Sequence, residues 1–446
     1  MLVSQKQVLT GAPLRQFLLY AIPSTFSLLA LAIAEIVDAY FLGNYVGPHA
    51  LEAVNFSLPI ITAIYGLMLM IAVGASVITG KYVGEGKEEA ACQVFIKTLL
   101  TTILLGFALT VLILVFIKDI VELIAFDPEA SDYIADYLKV FAWAFPLIGC
   151  AIVLTTFGRI DGRPALVLLA IVLGTALNVP LDHVLVAELE MGVTGAAIAT
   201  GSSQVVVVLV LLPHLFRGAG IMRLLRPDGK WRVMLRAAYT GLAEFINEIS
   251  TGVIVFVSNW ILILELGTDS IVAFGMLNYL VFLSIMIFYG FGEALGPLIS
   301  INLGAHRYDR IKIFLFYALS ANLLVGGGLA IFILLFPVFI STVFLNMASM
   351  MVVDLTEEFS NYLWPIFIFN GINITLSCYF VAIQSASRAA IVALSRSLVF
   401  PVIFMIVFHM LFDGGMVILA LPLAEIMSLT ICLYLFWQRT PGKLQA

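Results

Sequence analysis

Long apolar runs follow one another along this chain with so little between them that few folds remain open. A helix needs about 20 apolar residues to cross a hydrocarbon core. Windows of that kind fall at 16–44, 51–79, 92–117, 130–156, 163–185, 192–216, 238–266, 270–301, 311–337, 356–383, 388–412 and 416–438. One span with its connection takes about 37 residues, so twelve use up nearly all of the 446 and leave no room for a soluble catalytic domain. Composition agrees. Hydrophobic residues make up 62% and charged residues 11%, whereas soluble domains carry about 25% charged residues. The expected fold is an all-α integral membrane protein of twelve transmembrane helices.

Lys and Arg collect on cytoplasmic connections, and that rule orients the spans. With both termini inside, every Lys and Arg of the 22 falls on the inner side except Lys118 and Lys139. These two lie in a connection dense with acids, including Asp119, Glu122, Asp132 and Asp136. Arg159 and Arg396 are counted on the inner side, and no Lys or Arg is expected deep enough to pair with an acid inside a span. The longest basic connection falls midway and divides the chain into residues 1–216, a linker 217–237 and residues 238–446. At a constant offset of 220, Gly47 meets Gly267, Ala53 meets Ala273, Gly84 meets Gly304, and LLGFALTVLILVF (104–116) meets LVGGGLAIFILLF (324–336). Six spans per repeat is an even number, so both repeats start from the same side. Their relation is then a pseudo-two-fold along the membrane normal, as in several carriers. Two pseudo-symmetric six-helix bundles facing each other across a central cleft are expected, which suits a rocking carrier better than a fixed pore.

A carboxylate costs about 2.5–3.5 kcal/mol at the centre of a span and marks an ion path or a proton site. The window ends are soft, and seven acids are read as lying within the spans: Glu35, Asp38, Asp182, Glu244, Glu248, Glu293 and Glu425. With no basic partner expected, a proton, a bound cation or hydrogen bonds must neutralise them. Glu35 and Asp38 are three apart and share a helix face, as do Asn178 and Asp182, four apart. Pro180 between the latter two is expected to break the helix ladder and free a carbonyl near Ala176. Pro23, toward the inner end of span 1, can kink that helix. Glu244, Asn247 and Glu248 form one stripe on span 7. Each acid also has an ordinary reading: a helix-end or interfacial acid for Asp38 and Asp182, a cleft-mouth position for Glu35, a solvated vestibule for Glu244, and helix–helix hydrogen bonding for Glu293 and Glu425. Aromatic and methionine residues such as Tyr40, Met68, Tyr279, Phe288 and Tyr379 suit the walls of a pocket for bulky lipophilic cations, although packing is the ordinary role for each.

Other chemistries lack their residues. The four cysteines are scattered without CxxC spacing, and no histidine pair has metal spacing. There is no P-loop, HExxH or GxSxG sequence, so an ATPase or an enzyme of those classes is excluded, and no cofactor is expected. No basic tract of the kind that grips nucleic acid occurs. The N-terminal MLVSQKQVLTGAPLRQ has no signal-peptide cleavage pattern and reads as a short helix leading into span 1.

AIPSTFSLLALAIAEIVDAYFLG in span 1, GASVITGKYVGEGK ending span 2, ALNVPLD in span 5, GVTGAAIATGSSQ opening span 6 and EALGPLISINLGAHRYDR ending span 8 together carry a resemblance. The chain resembles the multidrug and toxic compound extrusion transporters, over its whole length, and within them the prokaryotic DinF-like branch. That resemblance implies a V-shaped antiporter in the inner (cytoplasmic) membrane, monomeric, exporting organic cations or amphiphiles against H+ or Na+. It implies a cation site in the N-terminal bundle formed by Asp38, Asn178, Asp182 and Thr200, with Pro23 as the pivot of a bending span 1. Another branch uses acids on spans 7 and 10. The segment YLWPIFIFNGINITLSCYF of span 10 here offers Asn370 and Asn373 but no carboxylate, and Glu35, Glu244 and Glu248 stand as secondary candidates. A lipid-linked precursor flippase of the same superfamily is the alternative; such carriers place basic residues in the cleft, and none is expected at mid-depth here. A passive channel is a further alternative, distinguished by flux that needs no gradient.

Overall fold

The computed structural model describes residues 5–124, 128–216, 220–266, 268–344, 350–412 and 414–444, so residues 217–219 at the start of the linker and Gly267 of the repeat match lie outside it. The regular elements among the described residues are all helical. The spans are α1 (Pro13–Phe41), α2 (Pro48–Gly84), α3 (Glu88–Val115), α4 (Phe145–Ile160), α5 (Pro164–Asp182), α6 (Gly192–Leu215), α7 (Leu242–Leu266), α8 (Thr268–Gly304), α9 (Tyr308–Leu335), α10 (Met350–Ala382), α11 (Ala386–Leu411) and α12 (Ala420–Gln438). Ten of these pass a length and hydropathy test for crossing a membrane. α4 does so together with the preceding helix, at a 52° bend between Ser131–Ala142 and Phe145–Ile160, and the 25 residues of α7 make the twelfth. The bend has a local cause. Pro146 has no N–H to give to the Ala142 carbonyl one turn earlier, and the Thr110 hydroxyl donates to that carbonyl at 2.6 Å instead.

The repeat is written into the element boundaries. α2 and α8 are each 37 residues, and both ends are displaced by 220. α3 and α9 are each 28 residues with the same displacement. The turn before them needs a left-handed residue in both copies: Gly86 in the first, at φ 75°, and His306 in the second, at φ 55°. A side chain at positive φ is unfavourable; the His306 ring lies 2.9 Å from the Tyr308 hydroxyl in that turn.

The halves meet at the end of the molecule where the first and last described residues and most basic residues lie, here called the basic end. A Cβ built on Gly84 would sit 2.0 Å from the Ile301 carbonyl, and one on Gly304 2.0 Å from the Lys81 carbonyl. These two contacts are related by the same offset of 220, so α2 and α8 cross on the pseudo-two-fold with backbones touching. Only glycine permits that approach. Gly74 and Gly241 make a similar pair, against the Ala237 and Met70 carbonyls. Thr25 of α1 packs against Gly290 of α8. α1 shows the consequence: its buried residues run from Gln16 to Ser27 with Ala32 the last, while Ile33, Ile36 and Tyr40 beyond are exposed. The halves are joined at the basic end and part toward the other.

Pro180 has no N–H to give to the Ala176 carbonyl, yet α5 runs on through it to Asp182, and the ladder then widens into a π-helical segment His183–Glu188. One sequence expectation needs correction. Basic residues do reach the buried acids. Arg159 of α4 lies 2.9 Å from Glu293 of α8, an ion pair between the two halves. Arg396 is not near an inner helix end; it sits ten residues into α11, about 15 Å along the helix, and is buried.

Candidate functional site

In the N-terminal half, three helices bring four polar side chains to one place. Asp38 is three residues from the end of α1. Asn178 and Asp182 occupy one face of α5, with exposures of 2% and 0%. Thr200 is two turns into α6 and donates its hydroxyl to Asp38 Oδ2 at 3.1 Å. Asn178 and Asp182 both stand against the same Asp38 carboxyl. Two carboxylates are acceptors only, so their contact is attractive only when a proton or a cation lies between them. The remaining oxygens agree: Asp38 Oδ1, Asn178 Oδ1 and both carboxyl oxygens of Asp182 are buried with no donor among the described residues. Buried polar oxygens are costly unless partnered. A set of hard oxygen donors, with carboxylates and an amide, fits a proton or an alkali cation, the ion type expected for this site. The structure thus brings Asp38, Asn178, Asp182 and Thr200 together.

The secondary candidates are elsewhere. Glu35 is exposed on α1, and Glu244 and Glu248 are half-buried on α7. They face the seam between halves: the Glu248 side chain packs on Gly66 of α2, and Glu35 lies within electrostatic reach of it. Of the residues proposed for pocket walls, Met68, Phe288 and Tyr379 are fully buried core residues, whereas Tyr40 is exposed.

Sequence reasoning missed a second polar cluster, in the C-terminal half. Asn370 and Asn373 of α10 donate to the two carboxyl oxygens of Glu425 on α12, at 2.8 and 2.7 Å. The Arg396 guanidinium reaches Asn370 Oδ1 at 3.4 Å, Asn247 Oδ1 at 3.3 Å and the Tyr289 hydroxyl at 3.2 Å, and lies 3.9 Å from Glu425. The acids of α10, Asp354, Glu357 and Glu358, lie in its first three turns; deeper in, its two amides hold a carboxylate supplied by α12. Removing one partner from such a buried pair costs about 3–5 kcal/mol. At the basic end His214 and Asp161 are 2.6 Å apart, and Asp161 also accepts the Ile221 amide at 2.7 Å, which fastens the described part of the linker to the first half.

Twelve apolar helices in two repeats, with carboxyls held at depth, define an integral membrane transporter. A family model described as MatE matches the chain twice, over residues 23–184 and 245–407, and the chain belongs to that family of multidrug efflux transporters. A probable multidrug resistance protein, YoeA, of Bacillus subtilis (strain 168) is 26% identical over 348 residues, covering 74% of this chain and 73% of its own. The multidrug export protein MepA of Staphylococcus haemolyticus is 24% identical over 428 residues, covering 93% and 90%. Among solved structures, MATE in complex with MaL6 superposes with a TM-score of 0.92 at 23% identity, covering 98% of each chain. The outward-facing conformation of a multidrug resistance MATE family transporter of the MOP superfamily superposes at 0.90 with 22% identity, covering 99% and 98%.

Proposed function

We propose that this protein is a secondary active exporter of organic cations or amphiphiles, in which inward movement of H+ or Na+ through the Asp38 site drives substrate outward. The observation that carries the reading is the pair of abutting carboxyls, Asp38 and Asp182, ringed by buried oxygens that lack a donor. Asp38 is the essential acceptor, Asp182 its partner, and Asn178 and Thr200 are polar ligands. Residues 1–216 and 238–446 act as rocking bundles joined by the linker 217–237. The basic end faces the cytoplasm by the charge rule, with both termini there and the protein a monomer in the cytoplasmic membrane. The state described is then closed to the inside and open outward. Coupling follows from differential affinity: a cation and a substrate that favour opposite states exclude one another through the conformational equilibrium.

Purified protein in liposomes tests the reading. A fluorescent lipophilic cation should move uphill under an imposed proton gradient or an imposed sodium gradient. Movement under neither would remove the antiport assignment. The flippase reading is weakened by the structure: Arg396 is at mid-depth, but it is buried and engaged with Glu425 and its amides and offers no free charge to a pyrophosphate.

Pro23 lies within the continuous helix α1, and its carbonyl accepts the Ser27 hydroxyl at 2.7 Å. Its missing N–H leaves α1 one backbone bond short of a full ladder. Pro23→Ala restores that bond and should slow turnover several-fold with substrate binding unchanged; unaltered turnover in the same liposomes would exclude Pro23 as a pivot.

A further inference from the structure

The two halves place their polar clusters on corresponding helices but balance their carboxyls differently. The fifth span of each repeat carries one part: Asn178 and Asp182 on α5, Arg396 on α11. The sixth carries another: Thr200 eight residues after Gly192, and Glu425 nine residues after Met416, where the twelfth membrane-spanning segment begins. In the first half the carboxyls face each other with no cation of the protein's own among the described residues. In the second half Glu425 has a guanidinium beside it, bridged by Asn370, whose amide nitrogen donates to Glu425 and whose oxygen accepts from Arg396. Four spans converge on that one charge, through Asn247, Tyr289, Asn370 and Glu425.

We propose that Arg396 is a tethered cation that permanently takes, on the corresponding helices of the C-terminal half, the role an exchangeable cation has in the N-terminal half. This rests on the reading of Asp38 and Asp182 as a cation site. The amides of Asn370 and Asn373 preorganise Glu425 as a cation-binding carboxylate, and Arg396 supplies the cation covalently. The C-terminal half therefore loads no proton or alkali ion during the cycle, and coupling is confined to one half. Removing the guanidinium leaves Glu425 buried with both oxygens oriented and no counter-charge, a latent second site for a monovalent cation.

Infrared difference spectra between alkaline and acid buffer, recorded on the full chain in liposomes, count the carboxyls that take up a proton. The other titratable groups facing Arg396 are Glu244, Tyr289, Cys378 and Cys432, and of these only Glu244 is a carboxyl. Arg396→Met should gain one protonated carboxyl per chain, and the double variant Arg396→Met/Glu425→Gln should return to the wild-type spectrum. A folded Arg396→Met with no gain, or a gained band that survives in the double variant and so belongs to Glu244, would overturn the proposal. The double variant removes both charges together, so it also tests the wild type should the single variant not fold: loss of a wild-type carboxyl band in it shows that Glu425 already exchanges protons, and the proposal fails. Asp38→Asn separates the two readings. It should delete a wild-type band; if it deletes none, the N-terminal site is wrong while the Arg396 result is read independently.

Discussion

Asp38→Asn should bring gradient-driven export of a lipophilic cation down to the leak of empty liposomes, while the protein folds and elutes as the wild type does. The loss is large because Asp38 is the member of the cluster that touches all the others: Thr200 bonds to it at 3.1 Å, and Asn178 and Asp182 stand against it. The amide is nearly the same shape and its oxygen still accepts from Thr200, but it carries no charge to exchange. Folding should not suffer. Two unit charges about 4 Å apart at an effective dielectric constant of 20 repel by about 4 kcal/mol, so neutralising one of two abutting carboxylates relieves strain in the empty site. A thermal midpoint at or above that of the wild type, together with abolished export, is the expected pair of results. Normal export would show that the exchangeable cation binds elsewhere.

Gly84→Ala should shift the protein away from the state closed at the basic end. The new Cβ would lie 2.0 Å from the Ile301 carbonyl oxygen and 2.9 Å from the Ala305 amide nitrogen. Both are backbone atoms of α8 or its cap, which cannot rotate aside. Overpacking of this kind costs about 1–3 kcal/mol, or about 5- to 150-fold in the equilibrium between states. Gly304→Ala should act alike, since it meets the Lys81 carbonyl at 2.0 Å across the pseudo-two-fold. Gly327→Ala, on α9 with open space around it, is the control. Spin labels at Lys87→Cys and Arg307→Cys, exposed positions 220 residues apart at the basic end, report the separation. Longer distances in the Gly84 and Gly304 variants and none in the Gly327 variant are expected. An unchanged distribution would mean that this glycine contact does not set the closed state.

How far the sequence reached is best judged from particular residues. The spans were legible because a membrane admits few solutions: an apolar window of sufficient length has to be a helix with its backbone bonded internally. The repeat was legible at a fixed offset because loops and helices keep the same lengths through the turn at His306, where α2 and α8, α3 and α9 match residue for residue. Asp38, Asn178 and Asp182 stood out because polar atoms at depth are rare. Thr200 came only with the family resemblance, since one hydroxyl in an apolar helix carries no signal of its own. Arg396 was missed for a different reason. The window 388–412 already contained it, but the orientation count assigned it to the inner side, and nothing local marks it as buried. Its partners come from four separate spans, and Glu425 is 29 residues away along the chain. Arg159 and Glu293 show the same limit, being joined only when the two halves dock.

The central claim is that cation and substrate compete for one protein through the Asp38 site. The most direct measurement adds tetraphenylphosphonium, a lipophilic cation, to the purified wild-type protein and follows protons released into weakly buffered medium, or sodium displaced in a parallel sample. Binding of one ligand that weakens another must be reciprocal. Release of a bound cation on substrate binding, absent in Asp38→Asn, is the expected result. Substrate bound by the wild type with neither cation released would contradict it.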